Sequence, residues 1–223
     1  ACPPFPTGTA WINFFATRPP VKPEFVWEQL LESALANCPP PGIQTLAVLP
    51  TQPWFTRFLP DHQFTHSQDI IILQWSNNLP DEKPMQPNDT IRQIMPNDLS
   101  EILNLDNNSF SPLWQLSEDN LRFAYQDSNY ATIYLQDGLI VGYLIANLTH
   151  LGGHISGLAV LNQFRSKGIG YQLVRDSLLH FLEIGINLVT VNTQADNKPS
   201  QTLYKKTGFS PTGEQVPVFT YCF

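Results

Sequence analysis

The sequence predicts an α/β fold on a mixed central sheet. Three features carry the prediction. From residue 88 onward, segments with strand-like alternation and segments with helical periodicity follow one another to the C-terminus. Gln136-Asp137-Gly138 is a tight-turn signal between two strand-like runs, so the sheet contains an antiparallel hairpin and is not purely parallel. Gly168 and Gly170 punctuate the passage from a strand into a long amphipathic helix.

The elements follow in order. Residues 90–94 read as a short strand, and a helix opens at Asp98, capped by Asn97 or Asp98. Ser117 caps a second helix that runs to residue 128. Residues 130–135 alternate as a strand, and residues 139–148 return beside it. Gly152-Gly153 breaks the chain before a strand over residues 154–160. Residues 167–184 are amphipathic, with Ile169, Leu173, Leu178, Leu179 and Leu182 on or near one face. Residues 187–194 form a buried strand. Residues 199–207 are a helix with proline in its first turn and Gly208 just past its end, the usual asymmetry of helix termini. Residues 209–223 close the sheet with one or two strands, giving the order βααβββαβαβ(β).

The totals limit what such a fold can serve. The 223 residues carry a formal net charge of −7, which argues against a nucleic-acid partner, since phosphate neutralisation needs a basic surface. Arg165, Lys167, Lys198, Lys205 and Lys206 come from two neighbourhoods and can converge on one anionic ligand. The three cysteines, Cys2, Cys38 and Cys222, share no metal-ligand spacing and read as free thiols. No metal is expected. No apolar run approaches the roughly 18 residues of a membrane span, and the N-terminus lacks the pattern of a signal peptide. The expectation is a soluble, cytoplasmic protein without membrane partners, its oligomeric state left open.

Residues 77–89, NNLPDEKPMQPND, stop helix and strand alike through proline and charge. They divide the chain into an N-terminal α/β region, residues 1–82, and a larger domain, residues 88–223. Within the first region, residues 28–48 align without a gap on residues 171–191. Gln29-Leu30 faces Gln172-Leu173, and Gly42-Ile43 faces Gly185-Ile186. Residues 54–58 read as a short helix, and Phe64 falls near the place of Phe209. Two explanations stand: a degenerate partial repeat of the larger domain, or the agreement expected of any amphipathic helix followed by a buried strand. Upstream of Glu28 the chain reads RPPVKPEFVW, without glycine. It offers no turn for a phosphate to approach, which leaves that region a packing role.

The segment LAVLNQFRSKGIG, residues 158–170, runs from a strand through a turn into a helix. Without Cβ atoms, Gly168 and Gly170 let the backbone approach a bulky anion. The first amides of the helix lack intrahelical partners and make an anion site, and Arg165 and Lys167 add charge beside it. This reads as a pyrophosphate cradle; two glycines at a helix start also occur for packing alone. No Gly-x-x-x-x-Gly-Lys-[Ser/Thr] sequence is present, and no acidic residue follows a first-strand glycine loop at the dinucleotide-binding distance.

In this context Arg165, Gly168 and Gly170 fit the [Gln/Arg]-x-x-Gly-x-[Gly/Ala] signature of the GNAT superfamily of N-acetyltransferases, which the chain resembles. Asn197 and LYKKTGF, residues 203–209, are similar to that family's Asn…LeuTyr…GlyPhe ending. The resemblance covers roughly residues 88–223, and in motif style it is similar to ribosomal-protein alanine acetyltransferases. It implies a sheet whose fourth and fifth strands splay apart, preceded here by a smaller segment resembling half such a domain, and it implies acetyl-CoA as the acetyl donor. Leu158, Ala159 and Val160 would present backbone groups to the pantetheine arm. Arg165, Ser166, Lys167, Gly168, Ile169, Gly170 and Tyr171 would wrap the pyrophosphate, and Asn197 would hold the arm from the far side.

Tyr204 matches the family's usual general acid, able to protonate the departing thiolate; its other reading is a helix tyrosine packed on the sheet. A main-chain amide near Leu158 would polarise the thioester carbonyl. The alanine acetyltransferases place a glutamate on the fifth strand, and the matching residue here is Asn192, which cannot take a proton. His154 is the alternative base, with an imidazole that titrates near neutrality; a structural histidine on a strand is its other reading, and release of the proton to water is the other route. Phe110 and Trp114, in the connection between the first two helices, either line an apolar acceptor pocket or belong to the core. The resemblance implies direct transfer to a primary amine on a small molecule or a peptide or protein. A non-catalytic acyl-CoA-binding module is the competing function.

Overall fold

The computed structural model describes residues 8–13, 15–37 and 43–223. Two of the three cysteines, Cys2 and Cys38, lie outside these residues; Cys222 is a free, exposed thiol. The chain forms two compact units, one of residues up to Asp69 together with Val216–Phe223, the other Ile70–Gln215. No described helix is long and apolar enough to cross a membrane.

In the first unit, β1 (Thr9–Ile12) leads into α1 (Pro23–Asn37), β2 (Thr45–Val48) and α2 (Pro53–Phe58). β1 and β2 are parallel, with Thr9 opposite Thr45 and Ile12 opposite Val48. β2 pairs antiparallel with the end of β9 (Ser210–Cys222), Val48 meeting Phe219. The core is aromatic. Trp27 of α1 meets Phe55 edge-on at 4.9 Å and Phe15 at 5.2 Å, and Phe64 is buried beside them.

The second unit begins in β3 (Thr65–Ser76), whose residues 70–76 pair antiparallel with β8 (Leu188–Gln194). It continues with β4 (Asp89–Gln93), α3 (Leu99–Ser109), α4 (Glu118–Gln126), β5 (Tyr130–Gln136), β6 (Leu139–Thr149), β7 (Gly152–Val160), α5 (Ile169–Glu183), β8 and α6 (Lys198–Lys206), ending in the first half of β9. The strand order is β9-β3-β8-β7-β6-β5-β4. β4 to β7 form an antiparallel meander, and β7 and β8 are parallel. The mixed α/β sheet is as the sequence predicts.

Four details differ from the sequence reading. Residues 210–222 are one strand, within the one or two expected, but β3 lies between it and β8. The apolar run Ile70-Ile71-Ile72-Leu73 fills that place, and its β8 partners lie too far along the chain for local pattern to reveal them. Gly152 and Gly153 do not break the chain but begin β7. A Cβ at Gly152 would stand 2.4 Å from the Leu188 carbonyl oxygen, and one at Gly153 would strike the Phe181 ring, so glycine is what lets the strand pass. The helix of α5 starts at Ile169, two residues later than its pattern suggests, and Leu179 points outward at 37% exposure while Ser177 and Phe181 are buried. Residues 77–88 contain neither helix nor strand, yet they are strapped to α5: Tyr171 Oη donates to the Asp81 carbonyl at 2.8 Å, and Arg175 Nε donates to the Pro80 carbonyl at 3.1 Å.

The two faces of the sheet carry different cores. α5 covers Val141, Leu144, Ile155, Val189 and Val191 with Leu173, Val174, Leu178 and Phe181. α3 and α4 cover Ile133, Tyr143, Ile145 and Ala159 with Ile102, Leu105 and Leu121. Burial of that order, at about 25 cal/mol per Å² of apolar surface, is what fixes the frame on which the site stands.

Candidate active site

The site is built on a divergence. β7 and β8 pair only at Gly153–Val189, His154–Thr190 and Ile155–Val191. Beyond that, β7 runs on to Val160 and β8 to Gln194 without meeting. β7 remains bonded to β6 on its other side, Leu158 facing Leu144 and Val160 facing Gly142, and β8 remains bonded to β3 as far as Gln194. The opening is therefore held between two supported strands, with residues 156–160 having no strand partner on the β8 side. An irregularity in register sets its start: Ile155 faces Ala146 and Gly157 faces Ile145, leaving Ser156 as the extra residue of a bulge. Ser156 Oγ donates to Asn147 Oδ1 at 2.7 Å.

At the far end of β7 the chain turns through residues 162–168 into α5. Gly168 is the residue before the helix, at φ +90°, and a Cβ there would meet nothing within 4 Å. Ser166 also has positive φ, at 63°. Two left-handed residues in one turn expose the first amides of α5 to open space, the geometry of an anion cradle. Arg165 is partly committed: its Nε donates to the Val160 carbonyl at 3.0 Å and its Nη2 to the Ser109 carbonyl at 3.2 Å. Lys167 is exposed, its ammonium 4.8 Å from the Phe164 ring centre. Ile169 is buried in the core, and Gly170 lies against Leu203 of α6, where a Cβ would come within 3.0 Å. Tyr171 is buried by the strap over α5. The residues predicted to wrap a pyrophosphate thus divide into those that face open space, at 166–168, and those that lock the turn.

Across the opening, Asn197 caps α6. Its Oδ1 accepts from the Ser200 amide at 3.2 Å, and its Nδ2 donates to Gln194 Oε1 at 3.1 Å. Tyr204, two turns into α6, is only 5% exposed, with its ring 5.5 Å from Phe209. Among the described residues its hydroxyl makes no hydrogen bond with another residue. Desolvation pushes its pKa well above the usual phenol value, so the group stays protonated and able to donate. Its charge would bear on Tyr143, whose hydroxyl lies 3.5 Å from where a Gly157 Cβ would be.

His154 stands at the closed end of the opening, one pair before β7 and β8 part. Its Nδ1 is 2.9 Å from Thr190 Oγ1, and burial lowers its pKa, so the ring is neutral at neutral pH. Thr190 Oγ1 also lies 3.4 Å from the Gly153 carbonyl. With the single hydroxyl proton directed there, Thr190 accepts from His154 Nδ1–H and leaves Nε2 as the basic nitrogen. Asn192 is exposed on β8, opposite Ile72 of β3.

One pair of residues escaped the sequence reading. Asp106 of α3 is 1% exposed, and Tyr143 Oη donates to its Oδ2 at 2.7 Å. The Leu116 amide donates to its Oδ1 at 2.8 Å, which ties the α3–α4 connection to the strand beside the bulge. Burial raises the Asp106 pKa. Ile102, Leu105, Asp106 and Ser109 share one helical face, and an acid in that apolar stripe was the signal. In the same connection, Gln115 Nε2 donates to the Asn107 and Phe110 carbonyls, while Gln115 Oε1, Asn107 Oδ1 and Ser109 Oγ are buried without a partner. Phe110 packs on the α3–α4 core, and Trp114 is half-buried.

Comparison with known proteins agrees with this geometry. Residues 99–209 match the model of the acetyltransferase (GNAT) family. A Bacillus subtilis (strain 168) protein provisionally assigned as a [ribosomal protein bS18]-alanine N-acetyltransferase is 22% identical over 138 residues, 61% of this chain and 90% of its own length. An N-alpha-acetyltransferase of Sulfurisphaera tokodaii is 35% identical over 86 residues, 33% of this chain; the match spans about half of that relative, 52%. Among solved structures, a GCN5-related N-acetyltransferase from Sphaerobacter thermophilus superposes with a TM-score of 0.70 over 90% of this chain and 66% of its own, at 16% identity. With its splayed parallel strands, its left-handed glycine turn and these matches, the chain carries a domain of the GNAT acetyltransferase family.

Proposed function

We propose that the chain is an acetyl-CoA-dependent N-acetyltransferase that passes an acetyl group to a primary amine by direct attack in a ternary complex. The observation that supports this most is the opening between β7 and β8, with a protonated phenol at Tyr204 that has no hydrogen-bond partner among the described residues and an open left-handed Gly168 at the start of α5. Such an opening fits an extended arm that adds to the free edge of residues 156–160 as an extra strand. The amides of residues 166–170 fit its pyrophosphate, and Asn197 stands on the opposite side.

When bound, acetyl-CoA supplies a thioester carbonyl open to nucleophilic attack. The Leu158 amide would hydrogen-bond the carbonyl oxygen as charge develops on it. Tyr204 donates its proton to the departing sulfur. His154, neutral and with Nε2 free, accepts the proton of the attacking amine directly or through water. The names of the relatives favour a polypeptide N-terminus over a small amine as acceptor. We assign catalysis to the domain of residues 88–223 and read the N-terminal region as a degenerate partial repeat that packs and does not react.

Asn192, where the alanine acetyltransferases carry a glutamate, favours the other reading, a module that binds acyl-CoA without chemistry. A panel of N-terminal peptides, lysine peptides and small amines, read by release of free thiol from acetyl-CoA, separates the two. Turnover on any member supports catalysis. Binding of acetyl-CoA with no thiol release across the panel establishes the non-catalytic module.

A further inference from the structure

The strap of residues 77–88 holds one feature that the pyrophosphate turn does not use. Lys83 is exposed, and its ammonium sits 4.0 Å from the centre of the Tyr171 ring, in the first turn of α5. Tyr171 lies in the first turn of α5, three residues after Gly168. The position is built. Gln172 Nε2 donates to the Lys83 carbonyl at 2.6 Å, Tyr171 Oη donates to the Asp81 carbonyl at 2.8 Å, and Arg175 Nε donates to the Pro80 carbonyl at 3.1 Å. Pro80, Pro84 and Pro87 stiffen the segment that carries these anchors. A strap fastened at three successive points to the first two turns of one helix therefore carries a cation to the mouth of that helix.

Resting on the Tyr171 face leaves the ammonium donors turned away from the ring free to reach an anion. Glu82, the neighbouring acid, stands 3.6 Å from Arg175. Asp81 is the opposing charge, and it acts on the Tyr171 phenol, whose hydroxyl is bonded to its carbonyl group. The pyrophosphate of an acetyl-CoA is accounted for by the amides of residues 166–170. What remains on that molecule is a third phosphate, the monoester on the ribose, at the end of the nucleotide away from the thioester.

We propose that Lys83 is a specificity residue for that ribose phosphate, so that the strap makes the site select coenzyme A over nucleotides and thioesters that lack it. This rests on the proposed use of acetyl-CoA. It accounts for a function of residues 77–88 that a linker alone would not need: a cation delivered to α5 from a segment with no helix or strand of its own.

The test is isothermal titration of the full chain with acetyl-CoA and with 3′-dephospho-acetyl-CoA. Wild type is expected to prefer the first by roughly three- to tenfold, the range of one exposed charge-assisted contact. Lys83→Met keeps the aliphatic stem on Tyr171 and is expected to erase that preference while leaving the dephospho affinity unchanged; Lys83→Arg is expected to restore it. A preference that survives Lys83→Met overturns the proposal, as does an equal loss of affinity for both compounds, which would place the effect on the strap or the pyrophosphate. Wild type that binds both equally overturns it while sparing the acetyl-CoA reading. Wild type that binds neither removes both.

Discussion

Two β-α-β-α runs in this chain use the same frame and part at one turn. In the first unit, Thr9 of β1 stands opposite Thr45 of β2; in the second, Gly153 of β7 stands opposite Val189 of β8, and both partners lie 36 residues along the chain. The connecting helices α1 and α5 have 15 residues each. The strands are alike in pairing but not in length. β1 ends at Ile12, the last residue it pairs, whereas β7 continues past its last partner to Val160. Between strand and helix, the first run passes through Arg18-Pro19-Pro20 without a glycine, and the second through Ser166 and Gly168, both left-handed. The βαβ frame is thus common to both runs, and a strand that outruns its neighbour and a left-handed glycine turn belong to the second alone.

The sharpest way to break this comparison is to give the second turn the character of the first. Gly168→Val should lower acetyl-CoA affinity by about two orders of magnitude, roughly 2.7 kcal/mol, in a calorimetric titration. A β-branched residue at φ +90° costs about 1–3 kcal/mol, so the variant should melt several degrees lower yet keep its helix content. Tyr204→Phe asks whether the second unit has chemistry as well as binding. Its turnover should fall by roughly 100-fold with cofactor affinity and melting temperature nearly unchanged, since the hydroxyl holds no partner among the described residues. An unchanged rate would remove Tyr204 as the acid.

His154→Gln should cost turnover about tenfold, a share of what general-base catalysis contributes. Burial lowers the His154 pKa below the ordinary histidine value, so the wild-type rate should rise with pH through that depressed value and level off above it. The variant should lack this acid limb, and a limb that persists would belong to another group. The smallest effect is expected at Asp106. Burial raises its folded pKa above the unfolded one, so the native state binds its proton more readily. The associated stability is complete below about pH 4 and is lost as pH rises through the raised value. Asp106→Asn should therefore gain in melting temperature relative to wild type between acidic and neutral pH; parallel curves would contradict this.

The sequence made local features legible and left distant ones hidden. Residues 168 and 170, the α6 helix with its proline and following glycine, and the hairpin at Asp137 are each decided by a few neighbouring residues, and each is found where the pattern puts it. The place of β3 between β8 and β9 was not legible, because strand order depends on partners more than 100 residues away. The strap was read as a divider for a related reason: its proline and charge forbid helix and strand, but its bonds to Tyr171, Gln172 and Arg175 leave no local pattern. Asp106 lay open to discovery as an acid in an apolar stripe, while its partner Tyr143 was hidden among the apolar residues of β6.

The most direct test of the comparison is the stoichiometry of acetyl-CoA binding to the full chain, measured by isothermal titration. The account predicts one site per chain, abolished by Gly168→Val. Two sites would show that the first unit, whose strand-to-helix turn has no glycine, also holds the cofactor, and no binding at millimolar acetyl-CoA would contradict the central claim that the opening between β7 and β8 is an acetyl-CoA site.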